Sequence, residues 1–110
     1  MPKLKLLTKQ QEAHVPPLGS TEKTADPTVW VKWFTPDSSF TWYVTERDPK
    51  TGRCFGVTVN PASNMPWELG FFDQHEIESA RGQLGLPVER DKWFKPRPLS
   101  KVKAYEGTTK

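Results

Sequence analysis

Cysteine, histidine and long apolar runs are scarce in this chain of 110 residues. Its single cysteine, Cys54, excludes an internal disulfide and any metal site built from several cysteines, and it suits a reducing compartment. No run approaches the roughly 20 apolar residues of a membrane-spanning helix. The N-terminal residues also lack the continuous apolar stretch of a signal peptide. We therefore expect a cytoplasmic protein with no membrane partner.

Catalytic and cofactor-binding motifs are also lacking. The two histidines, His14 and His75, form neither an HExxH motif nor a pair at metal-ligand spacing. The stretch Gly82–Gly85 follows a predicted helix, whereas a phosphate-binding loop precedes one. Cys54 with a distant histidine is the remaining catalytic alternative, but a lone cysteine in a strand is more often a packing residue. The sequence predicts no cofactor, no metal site and no catalytic residue.

Apolar residues alternate with a period of two in four segments, which predicts a β-sheet with one buried face. The segments are rich in β-branched and aromatic residues, and short loops containing Pro, Gly, Asn or Asp join them, which favours antiparallel neighbours. We expect a meander in sequence order, with strands at 28–34, 40–46, 53–59 and 67–72 and a fifth, edge strand at 92–95. The predicted core side holds Val29, Val31, Trp33, Phe40, Trp42, Val44, Phe55, Val57, Val59, Trp67, Leu69 and Phe71.

Two short helices are predicted to flank the sheet. Thr8 and Gln11 have the spacing of a capping box, which predicts a helix over Lys9–His14. After the fourth strand, Asp73 is an N-cap for a helix of about nine residues that ends with Gly82 as its C-terminal cap. The predicted fold is therefore α+β in a single domain. Its core spans about residues 6–100, and residues 101–110 form a flexible basic tail.

Charge is distributed unevenly along the chain, whose net charge is +3. Residues 1–11 carry three bases and no acid, and residues 92–110 carry six bases and one acid. Residues 12–91 carry seven bases and twelve acids. Two basic ends around an acidic body predict either attraction to nucleic acid or solvated ends that pack against the body.

The second face of the predicted sheet holds more aromatic residues than a plain solvent-exposed face. Its candidate binding residues are Trp30, Lys32, Phe34, Tyr43 and Phe72. One interpretation is that the second helix or the segment around Trp93 covers this face. A second is a docking surface for a protein partner, because Trp and Tyr are favoured at such surfaces. A third is a stacking platform for single-stranded nucleic acid, with Lys32 and the basic ends contacting phosphates.

A charged group near the C-terminal end is the other candidate site. It comprises Arg81, Glu89, Arg90 and Asp91. Salt bridges that fix a loop are the structural interpretation. The functional one is recognition of a carboxylate or phosphate by the planar guanidinium of Arg81 or Arg90.

The order of motifs resembles a bacterial family catalogued as domain of unknown function 2958. The resemblance spans about residues 6–100, and the matching strings are LLTKQQ, VPPL, VWVKWFTPDSSFTWYVTE, ELGFF, ESARGQLGLPVERDKWFKP and PLS. It implies a small accessory protein of plasmids, phages and integrated elements, and it brings no activity, cofactor or catalytic residue.

Together these observations predict a non-catalytic accessory protein that binds a protein partner through an aromatic sheet face. The alternative is a nucleic-acid-binding protein that uses the basic ends and the sheet-face aromatics. The oligomeric state and the partner's identity do not follow from the sequence.

Overall fold

A computed structural model describes residues 6–62, 64 and 66–102. In chain order the elements are α1 (Lys9–His14), β1 (Thr28–Val29), β2 (Val31–Phe34), β3 (Thr41–Arg47), β4 (Arg53–Val59), β5 (Trp67–Asp73), α2 (Gln74–Ser79), β6 (Glu89–Arg90) and β7 (Arg97–Pro98). Five strands form an antiparallel sheet in the order β5-β4-β3-β2-β6, and β1 pairs with β7. The α+β class and the meander from β2 to β5 are confirmed.

The edge strand beside β2 is β6 and not residues 92–95, so that part of the prediction is wrong. β6 pairs antiparallel with β2, with Trp33 opposite Arg90. Asp91 then ends the strand, because its Oδ1 accepts a hydrogen bond from the amide of Trp93 at 2.9 Å and its carbonyl accepts one from the amide of Phe94 at 3.3 Å. This turn carries residues 92–96 away from the sheet edge.

Both helices begin where their capping residues predict. Thr8 and Gln11 form the reciprocal capping box, and α1 has the predicted bounds. Asp73 accepts hydrogen bonds from the amides of His75 and Glu76. α2 nevertheless ends at Ser79, and Gly82 is not its cap.

Gly82 is instead required by a close contact. A Cβ at this position would lie 1.5 Å from Oδ1 of Asp37. The other carboxylate oxygen of Asp37 accepts hydrogen bonds from the amides of Leu84 and Leu86 at 2.7 and 3.1 Å. These contacts hold the chain after α2 against the β2–β3 loop, so the helix ends before Gly82.

The sheet is covered on both faces, so the prediction of a single core side is wrong. Val31, Trp33, Val44 and Cys54 belong to one buried cluster, which we call the first core. The second core lies on the other side and contains the following buried residues: Val29, Tyr43, Val57, Val59 and Val102. Tyr43 lies opposite Val57 across the β3–β4 pair, which puts both on the same face. Phe40, Leu69 and Phe71, predicted to be core residues, are exposed.

The burial of Val102 also corrects the predicted tail. Its side chain is in the second core, and residues 99–102 are helical, so a flexible tail does not begin at residue 101. The rest of the predicted tail, residues 103–110, lies outside the described residues.

A buried carboxylate holds the long loop between α1 and β1. Glu46 on β3 is 4% exposed and accepts hydrogen bonds from the amides of Gly19 and Thr21 at 2.7 and 2.9 Å, and from the hydroxyl of Thr21. Burial raises the pKa of Glu46, but the hydrogen bonds from Thr21 and Gly19 outweigh it and hold the pKa below its usual range. The ionised side chain therefore stabilises the folded state.

We expect Glu46→Gln to lower the free energy of unfolding at pH 7 by about 1–3 kcal/mol, as for loss of charged hydrogen bonds. Because the folded-state pKa is lowered, this stabilisation is present above the unfolded-state pKa of about 4.3 and is lost as the pH falls through the folded-state value. Urea unfolding between pH 3 and 7 measures it. The wild type should lose this increment on acidification and Glu46→Gln should not. Glu68→Gln, at an exposed position of β5, is the matched control. Equal effects of the two substitutions on the free energy of unfolding would contradict the role of Glu46.

Candidate functional site

A groove of about 560 Å³ lies between α1 and the segment that follows β6. We call it the basic groove. Its lining residues are Thr8, Gln10, Gln11, His14, Trp30, Arg90, Lys92 and Pro96. Among these described lining residues, Arg90 and Lys92 are basic and none is acidic. The groove brings together α1 and the segment after β6, which are about 80 residues apart in sequence.

α1 forms one wall of the basic groove and is held there by the residues on either side of it. None of its own six residues is buried. Leu6 and Leu7 before the helix and Val15 after it are buried in the first core. The carbonyl of Pro16 also accepts a hydrogen bond from the amide of Arg47 at 2.9 Å. A polar helix is thus fixed at both ends, and its side chains remain available to line the groove.

An aromatic pair forms the floor of the groove. Trp30 lies between β1 and β2, where its amide donates to the carbonyl of Val44 at 2.9 Å, and its half-buried ring packs against the first core. The imidazole of His14 stacks on this ring, with 6.1 Å between centroids and 30° between planes. Nδ1 of His14 lies 2.6 Å from the carbonyl of Gln10. A carbonyl only accepts, so Nδ1 is the donor in this contact.

The opposite wall is fixed by Asp91. Its amide donates to the carbonyl of Lys32 at 2.9 Å, and its Oδ2 lies 3.7 Å from Nζ of Lys32. With the turn to Trp93, these contacts hold Arg90 and Lys92 on either side of Asp91. The backbone that carries Arg90 and Lys92 is therefore fixed in position, and their positive charge favours an anionic ligand.

The basic surface continues beyond the groove along residues 92–101. This stretch carries Lys92, Lys95, Arg97 and Lys101 and no acid. Trp93 in the same stretch is 90% exposed. The next residue, Phe94, anchors the segment by packing on Tyr43 in the second core, with centroids 6.2 Å apart. A fully exposed tryptophan is thus held next to Lys92.

The predicted aromatic face does not exist as one surface. Tyr43 is buried in the second core and stacks on Trp67 at 5.5 Å. Phe72 packs edge-on against Trp33 in the first core, with centroids 6.2 Å apart. Phe34 and Lys32 line a separate depression beside the β2–β3 loop. Of this set only Trp30 lines the basic groove, so the docking surface predicted from all of them is wrong as a whole.

The predicted charged group is also divided. Nη1 of Arg81 donates to the carbonyls of Glu78 and Ala80 at 3.1 and 2.8 Å, so this arginine caps the end of α2. Arg81 lines a different depression from Arg90. Glu89 and Arg90 form the short edge strand β6. Of these four residues only Arg90 lines the basic groove. The prediction missed its neighbours His14 and Lys92. The basic charge of residues 92–110 was the available signal for Lys92, and no signal marked His14.

The alternative of a catalytic cysteine is not supported. Cys54 is buried, and burial raises the pKa of its thiol to about 12. The thiolate needed for nucleophilic attack is therefore disfavoured at neutral pH. Within residues 6–62, 64 and 66–102, no three His, Cys, Asp or Glu side chains are placed to hold a metal ion. None of the helices in these residues is long and apolar enough to cross a membrane.

Comparison with protein families identifies the chain's relatives. The model of the family described as protein of unknown function (DUF2958) matches residues 3–106. The chain belongs to this family. Searches of curated proteins and of solved structures each found no match. The resemblance seen in the motifs is thus confirmed.

Proposed function

We propose that this DUF2958 protein binds single-stranded nucleic acid in the basic groove. The observation that carries the proposal is the stacked pair of Trp30 and His14 beside Arg90 and Lys92, in a groove whose described lining includes no acid. Single-stranded nucleic-acid sites combine aromatic rings that stack on bases with cations that track the phosphates. The basic groove contains both parts at one place.

Stacking favours a single strand over a duplex. In a duplex the faces of the bases are already stacked on one another, so a protein ring gains access to them only where bases are unpaired. Trp30 lies in the groove and not on a protruding element, which suits a flexible strand that enters the groove. The exposed Trp93 offers a second ring for a neighbouring base.

The positive charge of the groove also favours a nucleic-acid strand. The groove brings α1 together with Arg90 and Lys92, and the segment 92–101 carries four bases and no acid. Arg90 suits a phosphate because its planar guanidinium donates two parallel hydrogen bonds. Lys92 adds a point charge at the rim. Attraction of this kind steers a polyanion to the groove and weakens as salt is added.

We expect fluorescein-labelled ten-nucleotide oligo(dT) and oligo(U) to bind, with an affinity that falls as salt rises from 50 to 200 mM. Trp30→Ala should weaken binding about 5- to 150-fold, because stacking contributes about 1–3 kcal/mol per base, and should leave the salt slope unchanged. Lys92→Gln should reduce the slope of log affinity against log salt by about 0.7, which is one phosphate contact on a single strand. Fluorescence anisotropy measures both.

Lys50→Gln is the matched control, because Lys50 is exposed in the β3–β4 turn away from the groove. Trp93→Ala is a second aromatic variant whose ring is almost fully exposed, so it tests stacking without a risk to folding. The proposal is wrong if no oligonucleotide binds in 25 mM salt. It is also wrong if a duplex binds more tightly than either strand and Trp30→Ala and Lys92→Gln leave that binding unchanged.

Binding to a protein partner is a second candidate function, favoured by the exposed apolar side chains of β5. The aromatic face that suggested a protein partner in the sequence is divided between two cores. The candidate surface for a protein partner is therefore β5. Both candidates fit the setting that the family resemblance implied, an accessory protein of bacterial plasmids, phages or integrated elements that acts in the cytoplasm.

A further inference from the structure

β5 is one edge of the five-stranded sheet. It pairs with β4 along its full length, and on its other side no strand of the described residues follows. An edge strand presents backbone N–H and C=O groups that can pair with another extended chain. Proteins usually protect such an edge with charged side chains, a proline or a covering loop. On β5, however, Leu69 and Phe71 are 56% and 58% exposed.

A groove of about 520 Å³ lies beside these two residues. Phe55, Leu69, Phe71 and Leu99 give it an apolar wall, and the loop held by Glu46 forms the other wall. Phe71 is itself fixed in place, because it packs edge-on against Phe55 at 5.0 Å and the guanidinium of Arg53 lies 4.6 Å from its ring centroid. The apolar wall is therefore built before any ligand binds.

The charges around this groove are mainly negative. The described residues that line it include two acids, Glu22 and Glu46, and no base. β5 itself carries Glu68 and Asp73 and no base, while Arg53 of β4 lies opposite Asp73 and over the ring of Phe71. A second copy paired along β5 would add the same two acids to an edge strand that carries no base of its own, so its charge does not complement this edge. A segment that carries Lys or Arg complements the same edge.

We propose that β5 and its groove bind an extended, basic segment of a protein partner by β-strand addition. Backbone hydrogen bonds to the side of β5 that faces away from β4 supply affinity, and side chains at alternate positions supply specificity. Because side chains on one face of a strand recur every second residue, the segment should carry apolar side chains at positions i and i+2 that rest on Leu69 and Phe71. Lysine or arginine at the flanking positions would meet the acids.

This site is distinct from the basic groove. β5 and β6 are the two opposite edges of the sheet, and the basic groove lies beside β6. Binding at β5 therefore does not depend on nucleic-acid binding. The two proposals can fail independently, because Trp30→Ala leaves β5 intact and substitutions in β5 leave the basic groove intact.

The test is selection of a displayed library of random nonapeptides on the immobilised full chain. We expect enrichment of peptides with apolar residues two positions apart and at least two Lys or Arg. The synthetic consensus peptide should shift the backbone amide resonances of residues 67–73. Its affinity should be at least tenfold lower for Leu69→Thr/Phe71→Thr, in which polar residues of high β-propensity keep the strand.

Two further variants make the result decisive. Leu84→Thr/Leu86→Thr replaces two exposed apolar side chains away from β5 by threonine and should bind the peptide like the wild type. Leu69→Lys places a base on the edge, as natural edge strands often do, and should repel the basic peptide while the chain stays folded. The proposal is overturned if no such pattern is enriched, or if binding is the same with and without the β5 substitutions. It is also overturned if sedimentation shows a dimer that Leu69→Lys abolishes, since a second copy would then be the occupant.

Discussion

Trp33→Ala should lower the free energy of unfolding by about 3–5 kcal/mol, the range for removal of a buried tryptophan side chain. Trp33 is fully buried on β2, between β3 and β6. Its ring packs edge-on against Phe72, and Nε1 donates to the carbonyl of Leu6 at 2.6 Å. The substitution therefore opens a cavity in the first core and leaves the Leu6 carbonyl without this donor.

Urea unfolding followed by circular dichroism measures this effect. A total stability of about 5–15 kcal/mol is usual for a small domain, so the loss would shift the midpoint strongly. Trp33→Phe keeps most of the apolar ring and removes the hydrogen bond, so it should cost about 1–3 kcal/mol. Trp93→Ala removes an exposed ring and should change stability by no more than about 0.5 kcal/mol. If Trp33→Ala costs no more than Trp93→Ala, Trp33 is not the centre of the first core.

Trp33 also links the sheet to the basic groove. The Leu6 carbonyl that it binds lies two residues before the capping residue Thr8. Leu6 and Leu7 pack in the same cluster as Trp33, so the buried tryptophan helps to position α1. Arg90 lies opposite Trp33 in the β2–β6 pair. One buried side chain thus supports both walls of the groove.

Local signals in the sequence predicted the elements of this fold because each signal acts within a few residues. Thr8 with Gln11, and Asp73 before α2, are hydrogen-bonding patterns that need no distant partner. The alternation in the strands and the Pro and Gly residues in the loops likewise act over short distances, and they gave the order of β2 to β5. These predictions hold because tertiary packing reinforces them.

The faces of the strands could not be predicted in this way. Alternation divides the residues of one strand between two faces, but it does not show which face of the neighbouring strand continues each of them. A shift of one residue in the pairing exchanges the two faces. The irregularity between Val44 and Glu46 on β3 makes such a shift. As a result Tyr43, Val44, Thr45 and Glu46 are buried in succession. Leu69 and Phe71 have a different cause. They lie opposite Val57 and Phe55, on the face of the second core, but β5 is an edge strand, so both are exposed although their pattern is that of core residues.

The candidate site was predicted only in fragments. Trp30 was selected as part of an aromatic face and Arg90 as part of a charged group, and neither grouping survives in the structure. They meet because β6, only two residues long, pairs with β2 about 60 residues earlier in the chain. No local pattern marks Glu89–Arg90 as a strand. The basic charge of residues 92–110 was the one sequence feature that pointed to Lys92.

Gly56→Ala should lower the free energy of unfolding by about 3 kcal/mol, at the upper end of the usual range for overpacking. Gly56 lies in the middle of β4, opposite Val44 on one side and Gly70 on the other. A Cβ there would lie 1.9 Å from the carbonyl oxygen of Tyr43 and 3.2 Å from the amide nitrogen of Thr45. Both atoms belong to the backbone of β3, so no side-chain rotation relieves the contact, and the β3–β4 pair must separate at its irregular point.

Gly70→Ala is the control that isolates this contact from the intrinsic difference between glycine and alanine. Gly70 faces Gly56 across the β4–β5 pair, but no described heavy atom outside its chain neighbours lies within 4 Å of its Cβ position. Alanine there restricts the unfolded chain and should raise stability by about 0.4–1 kcal/mol. The two variants should therefore move the urea midpoint in opposite directions, with Gly56→Ala also shifting the amide resonances of Tyr43 and Thr45. Equal midpoints would show that β3 and β4 do not approach each other at Gly56 as closely as the structure requires.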